Sequence, residues 1–341
     1  MSDINVTIVN KQAAINNDVH TQNKGFNVGN VLRSYGSIIG MIVVLFVFQI
    51  FNHKFMNPQN LINVISQSSI LIIMSVGMMM AMSVRAVDLS VAQVADASGV
   101  LAAVLLINNA PLWIVLLAPI AFGIVVGCFN GLLLSYLGVP AIIGTLGTMF
   151  IIRSIELVTT NGAQPQILFS LPPSMTNSFF NLTQGKIGPV PILIILTIVF
   201  IVFAYFVRHR TVFGRHADAV NGNVKATFLS GINVKLKFAM AFVFSGAFAA
   251  LAGILVASRA GLAVPRGTES YLMDCFVSVY LGTIVTKNNR MSVIGTVIGA
   301  LFVGLIDNWL TLMGLGADYK NVFNGIIILL ALSIGALRKE S

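Results

Sequence analysis

The chain has 341 residues, 57% of them hydrophobic and 9% charged, with a formal net charge of +9 and a mean hydropathy of +0.91. A water-soluble domain of this length does not exclude charge so thoroughly. The positive balance is explained below by where the charges fall along the chain, so no nucleic-acid partner follows from it.

Residues 1–35 are rich in Asn, Gln, Asp and Lys and lack the short apolar core and small-residue cleavage site of a signal peptide. They read as a disordered cytoplasmic tail. Ten apolar stretches follow, beginning near residues 36, 61, 90, 112, 141, 190, 238, 272, 292 and 322. A bilayer core takes roughly 20 apolar helical residues to cross. Inside lipid only helices and closed barrels satisfy their own backbone, and these runs are too long and continuous for the alternating strands of a barrel. The expected fold is an all-α polytopic membrane protein of about ten transmembrane helices over 36–337, with 338–341 as a cytoplasmic C-terminus. Ten spans divide into five plus five; an odd number per half reverses the second half, so an internal repeat would be inverted.

Orientation comes from the basic residues. With the N-terminus inside, 14 of the 20 Lys and Arg fall on inner segments, five on outer ones, and Arg153 lies within a span. That asymmetry sets both termini in the cytoplasm. The long connection 159–189, carrying Pro165, Pro172, Pro173 and Pro189, then becomes a structured outer loop. The most basic inner loop is 208–237. Small residues recur one turn apart at Gly123, Gly127 and Gly131, at Gly246 and Ala250, at Gly253 and Ala257, and at Gly295 and Gly299. Such spacing lets helix backbones approach closely in lipid. Cys128 and Cys275 both fall inside spans and read as two buried thiols, neither a disulfide framework nor a metal site.

Ionisable groups at membrane depth are costly and are functional candidates by default. They are Asp88, Asp96, Arg153, Glu156, Asp274 and Asp307. Arg153 and Glu156, three apart on one helix, are spaced to pair with each other. Asp88 stands in a polar interruption, Val84 to Ser90, between two apolar runs. It is either a loop acid at the membrane surface or part of a helix break that, with Ser90 and Gln93, lines or braces a polar pathway. The sequence contains no metal constellation, no serine elbow, no paired His/Cys arrangement and no GxxxxGK[ST] phosphate loop. No cofactor is expected, and any ATP used must bind another chain.

Within the inner loop, Asn223 is a good N-cap and Gly231 a good left-handed stop. Between them lies a short helix with Val224 and Phe228 on one side. It has the shape either to seat in another protein's groove or to lie on the lipid headgroups.

Four motifs in this chain resemble those of the permease subunits of bacterial ABC importers for monosaccharides, the ribose, xylose and galactose group. One is Gly214-Arg215, then Gly222-Asn223, then Ala226 with Ser230-Gly231-Ile232. The others are Val87-Asp88-Leu89-Ser90; Pro140 to Thr148 with Thr145-Leu146-Gly147-Thr148, followed by Arg153; and Ser245 to Gly253. The resemblance runs from about residue 38 to 337. It departs from the family at Arg85-Ala86, where Gly-Gly is usual, at 283–290, where a glycine-rich stretch is usual, and at Asp307, where Asn is usual.

The resemblance implies a permease that catalyses no bond chemistry itself and works by alternating access. Its partners would be two cytoplasmic ATPase subunits, an extracytoplasmic substrate-binding protein, a second permease copy or paralogue, and the lipid of the bacterial cell membrane. The coupling residues it implies are Gly214, Arg215, Gly222, Asn223, Ala226, Ser230 and Gly231, to which Phe228 is added from its place beside Val224 on the short helix. Pathway candidates are Asp88, Ser90, Gln93, Asp96, Thr145, Thr148, Asp307 and Asn308. The substrate is expected to be a monosaccharide or sugar-like small molecule. A rival reading is an ion- or proton-coupled secondary transporter with Asp88, Asp96 or Asp307 as its titrating carboxylate; an integral-membrane enzyme is a third.

Overall fold

Helices dominate because their backbones need no outside partner, and side-chain caps are made by Asn57, Asn223 and Asn233. The computed structural model describes residues 28–286, 290–316 and 319–329, with side chains from residue 39 onward. The chain divides at Val43 into two units. The described part of the first is the helical run 28–43, and everything below concerns the second.

The helices are α1 (Val28–Phe51), α2 (Pro58–Met82), α3 (Val91–Ile107), α4 (Leu112–Ser135), α5 (Ala141–Thr159), α6 (Pro173–Gln184), α7 (Ile192–Arg210), α8 (Val212–Gly222), α9 (Val224–Leu229), α10 (Val234–Ala260), α11 (Tyr271–Val285) and α12 (Val293–Leu312). A further helical segment covers 319–329. Among the described residues six helices, α2, α4, α5, α7, α10 and α12, are long and apolar enough to cross a membrane. Three shorter apolar runs are Ile39–Phe51, α3 and α11. Helix starts therefore fall close to the ten expected positions. The first begins at Val28, inside the segment expected as tail; 1–27 and 330–341 lie outside the described residues.

Caps are chemically plain. Asn57 accepts the Gln59 amide at the start of α2, with Pro58 in the first turn. Gly261 ends α10 in the left-handed conformation, φ 67°. The connection 159–189 is ordered: it contains α6, a hairpin of β2 (Lys186–Ile187) with β3 (Val190–Pro191), and β1 (Gln166–Ile167), which pairs antiparallel with β4 (Leu262–Ala263). Ser258 near the end of α10 donates to the Phe179 carbonyl at 2.7 Å and lies 2.8 Å from the Thr183 hydroxyl, tying α6 to α10.

Two groups of helices share α2 and α10 as their inner members. α10 packs on α3 and α4, α2 packs on α11 and α12, and α2 and α10 pack on each other. Of the apolar window of α2, 83% is buried, against 28% for α4, α5 and α7. Apolar side chains on those outer helices, Leu117, Val125, Ile143, Val158 and Val202 among them, are exposed, as a lipid-facing surface requires. Cys128 also lies on that exposed face of α4, so only Cys275 is the buried thiol expected of both. Its position on the outward side of the helix could not be read from an apolar run without knowing which face meets the core.

The small-residue spacing does the work expected of it. A Cβ on Gly246 would sit 2.1 Å from the Gly123 carbonyl oxygen, and one on Gly123 would sit 2.3 Å from that of Gly246. The α11–α12 crossing is built the same way on Gly282 and Gly295. Backbone contact of this kind supplies the dispersion attraction that holds helices together in lipid. Gly246→Val should therefore force α4 and α10 apart and cost about 1–3 kcal/mol, read as a lower melting temperature of the purified protein in detergent. Gly147→Ala, where a Cβ meets open space, should leave that temperature unchanged or slightly raised.

Candidate functional site: two interrupted helices and a polar cavity

Helix α2 stops at Met82 and α3 starts at Val91; the eight residues between turn back into the bundle instead of leaving it. Arg85 makes the turn with φ 63°, while Val84, Ala86 and Asp88 are buried, Asp88 to 1% exposure. The Asp88 side chain is therefore enclosed by protein. Unpaired backbone at this depth would cost several kcal/mol per group (roughly, for transfer to hydrocarbon), and Asp88 supplies partners. Its Oδ1 accepts the Ser90 amide at 3.0 Å and the Ser90 hydroxyl at 2.6 Å; its Oδ2 accepts the Ser245 hydroxyl of α10 at 2.7 Å.

The chain of bonds continues outward from Ser90. Asn130 of α4 donates to the Ser90 hydroxyl at 2.9 Å, and Thr148 of α5 donates to Asn130 Oδ1 at 2.6 Å. Thr145 Oγ1 accepts the Leu89 amide at 3.2 Å. Of the expected pathway residues, Asp88, Ser90, Thr145 and Thr148 are thus brought together, joined by Asn130, which sequence reasoning did not single out, and by Ser245, named there only as the start of a motif. They form a brace among buried groups.

The other four expected residues go elsewhere. Gln93 donates to Glu156, so Glu156 pairs across helices and not with Arg153; Arg153 instead faces Glu269 at 3.8 Å. The i, i+3 spacing on α5 permitted the local pair, but burial of Glu156 at 2% turns it toward the α3 amide. Asn308 exchanges hydrogen bonds with Asn60 at 2.8 and 3.0 Å, a brace between α12 and α2. Asp96 and Asp307 each line a cavity.

Asp96 meets the second interruption, the segment 261–270 between α10 and α11. Arg266 has φ 68°, and the backbone amides of Arg266, Gly267 and Thr268 face the Asp96 carboxylate. The Thr268 hydroxyl donates to the Ala92 carbonyl at 2.8 Å. A cavity of about 210 Å³ lies here, bounded by Asp96, Gly99, Gly253 and Thr268.

Asp307 lines a larger cavity of about 490 Å³ between α2, α10, α11 and α12. Lys320 bridges Asp274 at 2.6 Å and Asp307 at 2.9 Å, and Asn324 donates to the other Asp274 oxygen at 2.6 Å. Asp274 was recognised as ionisable at membrane depth; Lys320 was read only as an outer-loop charge. The two cavities share Val256 and Ala260 of α10.

At the opposite end of α10 stands the inner loop. Asn223 caps α9 by accepting the Ala226 amide at 3.0 Å, and Gly231 follows with φ 80°. Phe228 and Leu229 are 68% and 75% exposed. The loop also contains α8, which was not anticipated. Gly214 in its first turn lies against α7: a Cβ there would overlap the Arg208 carbonyl oxygen. The buried Arg208 guanidinium donates to the Gly214 and Met291 carbonyls and to Asp218, fixing α8 to the start of α12. Arg85 of the first interruption donates to the Gly222 carbonyl at 3.1 Å. So the inner loop touches the broken helix directly.

Interrupted helices whose unwound parts enter a bundle, with polar cavities beside them, are an arrangement that membrane transport proteins use. The chain belongs to the family described as branched-chain amino acid transport system / permease component, whose model matches residues 60–332. It is a multi-pass protein of the bacterial inner membrane. It is 32% identical to the ribose import permease protein of Haemophilus influenzae over 91% of this chain and 95% of that one. The ribose import permease protein of Bacillus subtilis is 30% identical over 95% and 98%. The galactose/methyl galactoside import permease protein of Escherichia coli is 29% identical over 90% and 95%. No solved structure matches the chain.

The brace makes a sharp prediction. In Asp88→Asn the carboxamide oxygen still accepts from Ser90, and the Ser245 hydroxyl rotates to accept from the new amide. Asp88→Ala leaves the Ser90 amide and two hydroxyls without their acceptor, at about 1–3 kcal/mol. Melting in detergent should therefore be close to wild type for the first and clearly lower for the second.

Proposed function

We propose that this chain is the membrane permease subunit of an ATP-driven importer that moves a monosaccharide or sugar-like molecule into the cytoplasm. The observation that carries the reading is α9: a capped helix presenting Phe228 and Leu229 outward, on a loop bonded through Arg85 to an interrupted helix in the bundle. A push on α9 has a short mechanical route, through α8 and Arg85, to the Asp88 brace. The names of the relatives, import permeases for ribose and galactose, supply the substrate class.

In this reading α9 seats on one of two cytoplasmic ATPase subunits, a substrate-binding protein docks outside, and a second permease copy completes the complex. Residues 208–237 are the coupling loop of a permease domain spanning 36–337, and residues 1–35 are a cytoplasmic tail. The coupling residues are Gly214, Arg215, Gly222, Asn223, Ala226, Phe228, Ser230 and Gly231. Gly214 positions α8 and Gly231 the end of α9, while Phe228 makes contact.

The arrangement of ten spans in two inverted halves is supported by the pattern of neighbours. Exchanging α2 with α10, α3 with α11 and α4 with α12 carries the α10–α3, α10–α4 and α3–α4 contacts onto the α2–α11, α2–α12 and α11–α12 contacts. Each interruption has an Arg at positive φ, Arg85 or Arg266, three residues before an acid, Asp88 or Glu269. Each opens a short span, α3 or α11. With both termini inside, the first interruption enters from the cytoplasmic side and the second from the outer side. Cysteines introduced one at a time should react with an impermeant maleimide from outside at 161–188 and from inside at 215–229; an inside result for 161–188 would reverse the orientation.

Coupling is tested by ATP hydrolysis in the reconstituted complex. Phe228→Asp puts a charge on the docking face, and Gly231→Val forces a β-branched residue to φ 80°, a local cost of roughly 1 kcal/mol or more. Both should reach the membrane at near wild-type abundance and lose substrate-stimulated hydrolysis. Full stimulation in both would mean that α9 rests on the headgroups.

A further inference from the structure

Where α4 ends and α10 begins, a groove of about 400 Å³ opens on the surface of the bundle. Cys128, Leu132 and Tyr136 wall it on α4, and Leu236, Met240 and Phe244 wall it on α10. Each set is spaced by four residues and so forms one face of its helix. The two helices cross closely here: a Cβ on Gly131 would sit 2.7 Å from the Ala239 Cα. Cys128, Leu132, Tyr136 and Leu236 are exposed, so the groove is open along its length. The Tyr136 hydroxyl is the one side-chain oxygen or nitrogen among the lining residues. A polar solute finds almost nothing to bind there, whereas an acyl chain finds continuous apolar contact.

Aromatic rings place the groove in the bilayer. Trp113 and Tyr136, both exposed, stand at opposite ends of α4, about 35 Å apart at 1.5 Å per residue. A hydrocarbon core is about 30 Å thick and carries aromatic rings at both faces. Tyr136 therefore marks a headgroup boundary. From Tyr136 to Cys128 the groove runs about 12 Å inward, most of the roughly 15 Å depth of one leaflet. Two ammonium groups stand at its wet end. Lys235 Nζ lies 5.4 Å from the centre of the Tyr136 ring, and Lys237 Nζ lies 3.9 Å from Met240 Sδ. Asp218 is the one acid in 208–237, and it is taken by Arg208. Neither lysine has an ion pair among the described residues. An apolar slot of leaflet depth, rimmed by two unpaired cations, complements an anionic headgroup that carries an acyl chain.

We propose that this groove is a binding site for a phospholipid with an anionic headgroup, its phosphate held by Lys235 and Lys237 and one acyl chain laid along Leu132, Leu236 and Phe244. Its place in the cytoplasmic leaflet rests on the inside position of 208–237 proposed above; the site itself does not. Asn233 caps α10 just before the two lysines, and Gly231 ends α9 just before Asn233. The bound headgroup therefore anchors the start of α10 to the membrane surface directly beside α9.

Cys128 is exposed in the groove and Cys275, the other cysteine of the chain, is buried. Reaction of Cys128 with N-ethylmaleimide in the full-length permease therefore reads occupancy. The protein in an uncharged detergent is titrated with phosphatidylglycerol, phosphatidylcholine or glycerol phosphate. Phosphatidylglycerol should slow the reaction at a mole fraction about tenfold or more below that needed for phosphatidylcholine, because each lysine adds to the attraction for an anionic headgroup. Glycerol phosphate should not slow it. Lys235→Gln/Lys237→Gln should bring the two lipids to the same mole fraction and leave the rate without lipid unchanged. Equal protection by both lipids, or a preference that survives the double substitution, would show that no headgroup is held. Protection by glycerol phosphate would identify a free-anion site, no protection an empty groove, and a rate that falls with protein concentration whatever the lipid a face covered by a second copy. Each of these overturns the proposal. If Cys128 does not react before lipid is added, native mass spectrometry decides: anionic phospholipid carried through purification by the wild type and lost from the double variant supports the site, and any other pattern contradicts it. A reversed orientation would move the site to the other leaflet and keep the headgroup preference, whereas loss of the preference would leave the orientation untouched.

Discussion

A helix that breaks inside a membrane must find partners for the backbone groups it frees, and this requirement governs the centre of the molecule. The residues 83–90 enter the bundle unwound, and the Asp88 carboxylate, receiving one amide and two hydroxyls, makes that possible. Because Ser245 stands near the middle of α10, the brace joins the broken helix to the most connected one. Asn130 and Thr148 extend it to α4 and α5. A carboxylate buried without those donors would be far less favourable than any neutral residue; with them it fixes four helices in one register.

The close helix crossings follow from the same economy of backbone. Glycine against glycine on α4 and α10 brings chains near enough for dispersion to hold them, since apolar burial gives no preference for protein over lipid. In the proposed mechanism tight crossings carry a push at α9 along α10, with Arg208 and Arg85 as joints beside the loop 208–237.

What was legible in the sequence was local. Apolar length marked helices, six of them long and apolar enough to cross a membrane among the described residues; the Asn223 and Gly231 caps marked α9, and the polar interruption at Asp88 marked a break. Asn130 carried no such sign, and the motif that begins at Ser245 did not say what Ser245 binds: both are single polar residues in apolar helices whose partners lie 40 and 157 positions away. The Arg153–Glu156 spacing pointed to the wrong pair because a local rule knows nothing of Gln93, 63 positions off. Asn308 was grouped with Asp307 by adjacency, yet successive helical residues face different ways, and it turned to Asn60. Lys320 became a cavity residue only when 319–329 lay beside α11 and α12. The proposed repeat rests on which helices touch and not on residue identity, because packing constrains shape more than side-chain type.

The central claim is that energy for transport arrives at α9 from ATP, and that the buried carboxylates Asp88, Asp96 and Asp307 are acceptors for hydrogen bonds and not carriers of protons. Uptake of radiolabelled D-ribose, D-galactose and D-allose by proteoliposomes holding the permease, its ATPase and its binding protein tests this most directly, with proton and sodium gradients collapsed by ionophores. The account predicts accumulation that requires internal or external ATP on the ATPase side and is unaffected by loss of the gradients. Accumulation that persists without ATP and vanishes with the gradients would contradict it.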